Sequence, residues 1–157
     1  MPSPTEPEPV QGSPEIAPGV ILAGGVARHL AERDFAVLTE FPTAEGRRMD
    51  LCALGPRGEI WCIEVKSSRA DFTSDLKWES YLPFCERFFF AVPESFPVEL
   101  LPEEHGLIAA DAWGAEILRM TPERPLAAAR RKSLTLSFAR LAAQRLAGGR
   151  PALGAPV

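Results

Sequence analysis

Soft metal ligands are scarce in this chain. Its three cysteines, Cys52, Cys62 and Cys85, are odd in number and lack C-x-x-C spacing, so neither a zinc site nor a disulfide framework is indicated. Each sits in an apolar run and reads as a small buried hydrophobe. The two histidines, His29 and His105, lie far apart with no E-x-x-H or H-x-H neighbour, which sets aside histidine-based zinc and acid–base chemistry. No apolar run is long enough to span a bilayer. No basic segment leading into an apolar core opens the chain, so a cytoplasmic protein without a membrane role is expected. An overall basic excess is also missing, since the net charge is -4.

The distribution of that charge matters more than its sum. Acids crowd the opening stretch (Glu6, Glu8, Glu15) and the segment from Glu94 to Glu104. From Arg119 onward come Arg119, Arg124, Arg130, Arg131, Lys132, Arg140, Arg145 and Arg150 against Glu123 alone. That basic third is either a phosphate-facing surface or a solvated helix face with a basic loop. The 157 residues suit one domain with a moderate core. Residues 1–18 are rich in Pro and Glu and cannot bury an apolar face, which predicts a disordered tail. Residues 148–157 are expected to be a flexible tail, leaving an ordered domain over 19–147.

Hydrophobic periodicity predicts a short helix from Val20 to about Arg33 and strands over Phe35–Phe41, Arg47–Leu54 and Glu59–Lys66. A helix follows from Asp71 to Cys85, with Asp71 as N-cap and Pro83 loosening its last turn. Phe88, Phe89 and Phe90 fall in a fourth strand, Arg87–Val92. Two short strands, Leu107–Ala110 and Ala115–Met120, precede a final helix from Ser133 to about Ala147. Gly55-Pro56-Arg57-Gly58 supplies a turn that makes the second and third strands an antiparallel hairpin. The helix after the third strand returns the fourth parallel by a right-handed crossover. The fold class is therefore α/β, a mixed central sheet flanked by helices with a C-terminal helix. Trp61, alternating with Ile63 and Val65, is expected beneath the second helix.

The hairpin carries the chemistry. Asp50 lies in the first half of the second strand, and Glu64-Val65-Lys66 closes the third. Alternation places Glu64 and Lys66 on one face while Val65 points into packing. Pairing brings Asp50 to the same end of the sheet as Glu64. Two carboxylates there can hold a hard divalent cation, Mg2+ or Mn2+, with the carbonyl of Val65 as a third oxygen. The ammonium of Lys66 then lies where it can steady a phosphate or orient an attacking water. The alternative is a set of ordinary solvent-facing strand charges. Against it stands the position of Glu64 and Lys66 in a β-branched apolar run, where a charge is costly unless paired or metal-bound.

Asp50, the E-V-K at Glu64 to Lys66 and the order of elements resemble the PD-(D/E)xK, or restriction-endonuclease-like, superfamily. More closely, R-R-M-D-L, G-E-I-W-C-I-E-V-K-S-S, D-F-x-x-D-x-K-W and R-R-K-x-L-T-L-x-F-A-R-L-A-A are similar to the MmcB-type bacterial DNA repair family, over about residues 20–147. Met49 stands where the superfamily name has proline. The resemblance implies a restriction-endonuclease-like fold, a role in DNA repair or damage-induced mutagenesis, and Asp50 and Glu64 as metal ligands with Lys66 as catalytic lysine. It further implies an additional glutamate; Glu40 is favoured over Glu32 because it lies in a strand leading toward Asp50. RecB-like members carry Q-x-x-x-Y after E-x-K, which here becomes Lys77-x-x-x-Tyr81, with both side chains expected on one helical face toward DNA. Arg47, Arg48, Arg130, Arg131 and Lys132 complete the expected phosphate contacts. Asp71 and Asp75 are read chiefly as a cap and a solvated acid, with orientation of the basic site residues as the other role open to them.

Three functions are compatible with these residues. The first is a metal-dependent deoxyribonuclease. The second is a DNA-binding repair accessory of the same fold without turnover. The third is an interaction scaffold for other DNA repair proteins. A homodimer fits a small site that must cut a duplex.

Overall fold

A computed structural model describes residues 15–149; most of the two tails read from the sequence lies outside them. The element order is α1 (Pro18–Ala31), β1 (Ala36–Pro42), β2 (Arg48–Leu54), β3 (Ile60–Val65), α2 (Arg69–Ser74), a 3-10 helix (Lys77–Phe84), β4 (Arg87–Val92), a short 3-10 turn (Val98–Leu100), β5 (Gly106–Ala110), β6 (Ala115–Arg119) and α3 (Ala128–Gly149). Pro18 begins α1 at a position where a missing N–H costs nothing. The six strands form one mixed sheet in the order β1-β2-β3-β4-β5-β6. The first three and the last two pair antiparallel, whereas β3, β4 and β5 run parallel. This is the α/β arrangement expected, with its C-terminal helix. Among the described residues no helix is long and apolar enough to cross a membrane.

Strand alternation divides the core into two layers. On one face Leu22, Val26 and Leu30 of α1 pack on Leu51, Trp61, Ile63, Phe89 and Ile108. On the other, Trp78, Tyr81 and Phe84 of the 3-10 helix and Leu134 and Phe138 of α3 pack on Phe41, Met49, Cys62, Phe88 and Phe90. Trp61 therefore lies under the first helix, not the second as expected. Gly25 has a packing reason: a Cβ there would meet the Asp111 carbonyl oxygen at 2.0 Å, so only glycine lets α1 sit on the β5–β6 turn. That turn displays Trp113, which is 86% exposed. Asp111 accepts from the Trp113 and Gly114 N–H groups, and Arg28 of α1 donates to the carbonyls of Ala112 and Trp113.

Two helices differ from expectation. The helix predicted over Asp71–Cys85 is two pieces separated at Asp75 and Leu76, and Ser68 is the N-cap, its hydroxyl accepting from the Asp71 N–H at 3.1 Å. α3 begins at Ala128 and continues through Gly149, longer at both ends than predicted.

Candidate active site

Ladder pairing between β2 and β3 runs from Leu54↔Ile60 to Leu51↔Ile63 and stops there. Beyond that point the carboxylates replace backbone partners. The Asp50 N–H donates to Glu64 Oε1 at 3.1 Å, and the Val65 N–H donates to Asp50 Oδ2 at 2.8 Å. Each acid thus satisfies an N–H that the parting strands leave free. Across the other edge of β2, pairing passes from Thr39↔Leu51 to Phe41↔Met49 without a Glu40–Asp50 pair, and Glu40 adopts φ 49. Met49 and Cys52 share one core layer although three residues apart. Regular alternation forbids that, so β2 is locally irregular at Asp50.

Burial and mutual proximity set the charge state of the pair. Glu64 is 3% exposed; burial first, then the Asp50 carboxylate, push its carboxyl up to about 8. Asp50 is also raised, again mainly by burial, with the Val65 N–H and Lys66 opposing the shift. A buried acid and a half-buried one side by side cannot both ionise cheaply, so at neutral pH the pair retains a proton. Lys66 follows on the same face and is 2% exposed. Its ammonium meets Asp75 at 2.9 Å. Burial alone would raise the Asp75 carboxyl, but Lys66 and the Lys77 N–H outweigh it and hold it low.

The structure gathers Asp50, Glu64, Val65 and Lys66 as the sequence suggested. It leaves out both proposed glutamates. Glu40 faces Asp50 by register, yet its side chain is 66% exposed and pairs with Arg48 at 3.5 Å, because the positive φ turns it from the sheet. Glu32 is an exposed C-cap residue at the end of α1. Among the described residues no group of three or more His, Cys, Asp or Glu side chains is placed to hold a metal ion.

The basic residues divide between two ends of the sheet. Arg47, Arg48 and Lys77 are exposed beside the carboxylate pair, with Arg47 donating to the Lys77 carbonyl at 3.4 Å. Lys77 and Tyr81 do not share an outer face, which corrects the α-helical expectation. A 3-10 turn brings residues three apart into line, not four, and Tyr81 is buried with its hydroxyl donating to the Arg48 carbonyl at 2.6 Å. Burial and the nearby Glu64 push that phenol up to about 12. Arg130, Arg131 and Lys132 start α3 at the far end. Arg131 pairs with buried Glu86 and donates to the Gly58 carbonyl, and Glu86 accepts from the Ile60 N–H. At about 3.3 Å per residue, Ile60 is roughly 13 Å along β3 from Glu64. Arg130 donates to the Pro83 carbonyl and lies over the Phe84 ring. These two arginines brace the fold away from the acids.

A family model described as "DNA repair protein MmcB-like" matches residues 7–151. The chain belongs to the MmcB-like family. A solved structure of a protein of unknown function from Silicibacter pomeroyi, SPO1766, is 52% identical to this MmcB-like chain. It has a TM-score of 0.83, with 89% of this chain and 99% of that one covered. No curated protein matches.

One residue of this MmcB-like site has no counterpart among those the sequence points to. Arg145, near the end of α3, donates to the carbonyls of Thr39 and Glu40 at 2.5 and 3.0 Å, bringing a cation to the irregular strand edge. No local signal marks it, since it lies 106 positions from Thr39. Asp75, for which the sequence favours a solvated role over an orienting one, contacts the Lys66 ammonium.

Proposed function

We propose that this MmcB-like protein is a metal-dependent deoxyribonuclease acting in DNA repair. The observation that carries the reading is the reciprocal tie between Asp50 and Glu64 at the parting of β2 and β3, with buried Lys66 beside it. The donors fit a small hard cation. They are two carboxylates on adjacent strands and the Val65 carbonyl, with water filling the remaining positions as magnesium prefers. A bound Mg2+ or Mn2+ would lower the pKa of a coordinated water and offset charge on a phosphate. Asp50 and Glu64 would hold that ion, and its charge would favour loss of the proton the pair retains without it. Lys66 places its ammonium toward the scissile phosphate or the attacking water. Exposed Arg47, Arg48 and Lys77 bind backbone phosphates of the strand.

A second reading, a DNA-binding accessory without turnover, draws support from the engagement of Lys66 by Asp75. The two separate in one experiment. Labelled single-stranded, duplex, flapped and branched DNAs are incubated with magnesium, manganese or EDTA, beside Glu64→Gln and Lys66→Ala. Metal-dependent cutting that both substitutions abolish is expected. DNA shifted but never cut would transfer the conclusion to the accessory, and cutting that survives both substitutions would remove this site from consideration.

A further inference from the structure

We propose that Asp75 is a positioning residue for Lys66, holding its ammonium beside the carboxylate pair and joining it to the basic edge at Arg47 and Lys77. The proposal rests on the nuclease reading and deepens it. Lys66 carries a flexible stem into a site where it is 2% exposed, so its charge needs a fixed partner to stay in one place. Asp75 provides one at 2.9 Å through Oδ2, while Oδ1 accepts from the Lys77 N–H at 3.0 Å. With both oxygens engaged, the carboxylate cannot rotate away from either. Its backbone is extended, φ -120 and ψ 101, at the break between α2 and the 3-10 helix. A continuous helix would leave this side chain on the regular helical spiral, whereas the interruption frees it to turn toward Lys66. On the other side Lys77 receives the Arg47 guanidinium at its carbonyl, 3.4 Å away. One short path therefore runs from the buried ammonium through Asp75 and Lys77 to Arg47.

The test uses Asp75→Asn and Asp75→Glu in the full chain. Asparagine keeps the shape and one acceptor oxygen, which can serve Lys66 or the Lys77 N–H but not both as the carboxylate does. Lys66, Lys77 and Lys132 are the only lysines in the sequence, so acetylation read by mass spectrometry reports each separately. Lys66 should be slow to label in the wild type against exposed Lys77 and Lys132. Asp75→Asn should speed it by about tenfold, the scale of one charged hydrogen bond. The same variant should lower kcat by about tenfold or more at unchanged KM for DNA, with Asp75→Glu recovering part of both losses. Unchanged Lys66 labelling in an Asp75→Asn protein with wild-type circular dichroism overturns the proposal, as does a raised KM at constant kcat. A wild type that cuts no DNA would end the nuclease reading, and the labelling contrast alone would then decide whether Asp75 holds Lys66.

Discussion

Glu64→Gln should make the metal-free protein more stable at alkaline pH while destroying the proposed metal site. Glutamine mimics the protonated carboxyl: its oxygen still accepts from the Asp50 N–H, and its amide replaces the acid proton. The wild-type carboxyl sits near 8 when folded against an ordinary value of 4.5. For an acid raised by folding, the native state binds more protons than the unfolded chain between those values. The associated stability is fully present below the unfolded pKa and is lost as pH rises through the folded one. Each unit of separation corresponds to about 1.4 kcal/mol. The whole span would be on the order of 5 kcal/mol, and sharing of the proton with Asp50 reduces the expected loss to about 2 to 4 kcal/mol. Urea unfolding in EDTA at several pH values measures it directly. The two proteins should agree near pH 5 and diverge to about pH 8.5, with the variant the more stable. Added magnesium should raise the wild type and leave the variant unchanged. Parallel stability profiles across that range, or a variant less stable at the alkaline end, would refute the assignment of a retained proton to this pair.

Tyr81→Phe should cost about 1 to 2 kcal/mol in urea unfolding, because the Arg48 carbonyl loses its buried donor. DNA affinity in a shift assay should not change. Gly24→Ala should be neutral or stabilising by up to about 1 kcal/mol, since its Cβ meets nothing closer than 3.7 Å. Gly25→Ala, one residue on, should destabilise by about 1 to 3 kcal/mol through its clash with the Asp111 carbonyl. Thermal melts of the two single variants check the contrast. Iodide should quench Trp113 selectively, since Trp61 and Trp78 are each 7% exposed, and Trp113→Phe should remove the quenchable emission.

The hairpin was legible because its cause is local. A Gly-Pro-Arg-Gly turn between two β-rich runs fixes which strand ends meet, and period-two alternation fixes that Glu64 and Lys66 share a face. Strand β4 was read with its observed bounds, for three phenylalanines followed by proline leave little choice. What could not be read depends on partners far along the chain. Arg131 resembles a phosphate ligand until Glu86, 45 positions earlier, is found beside it. The helix predicted over Asp71–Cys85 has suitable periodicity, but the tie from Asp75 to Lys66 accompanies a break that propensity does not indicate. Glu40 has the right register and the wrong φ, and backbone sign at a single residue leaves no trace in a strand pattern.

Every strand in this sheet lies beside its neighbour in sequence, which favours rapid folding because few long loops must close before contacts form. Helix α3 is the exception. Its Phe138 covers Phe41, nearly a hundred residues earlier, so during synthesis Phe41 waits for that cover until α3 emerges. The same helix returns through Arg145 to the edge beside Asp50, and the charged end of the sheet acquires its final shape only once α3 is in place.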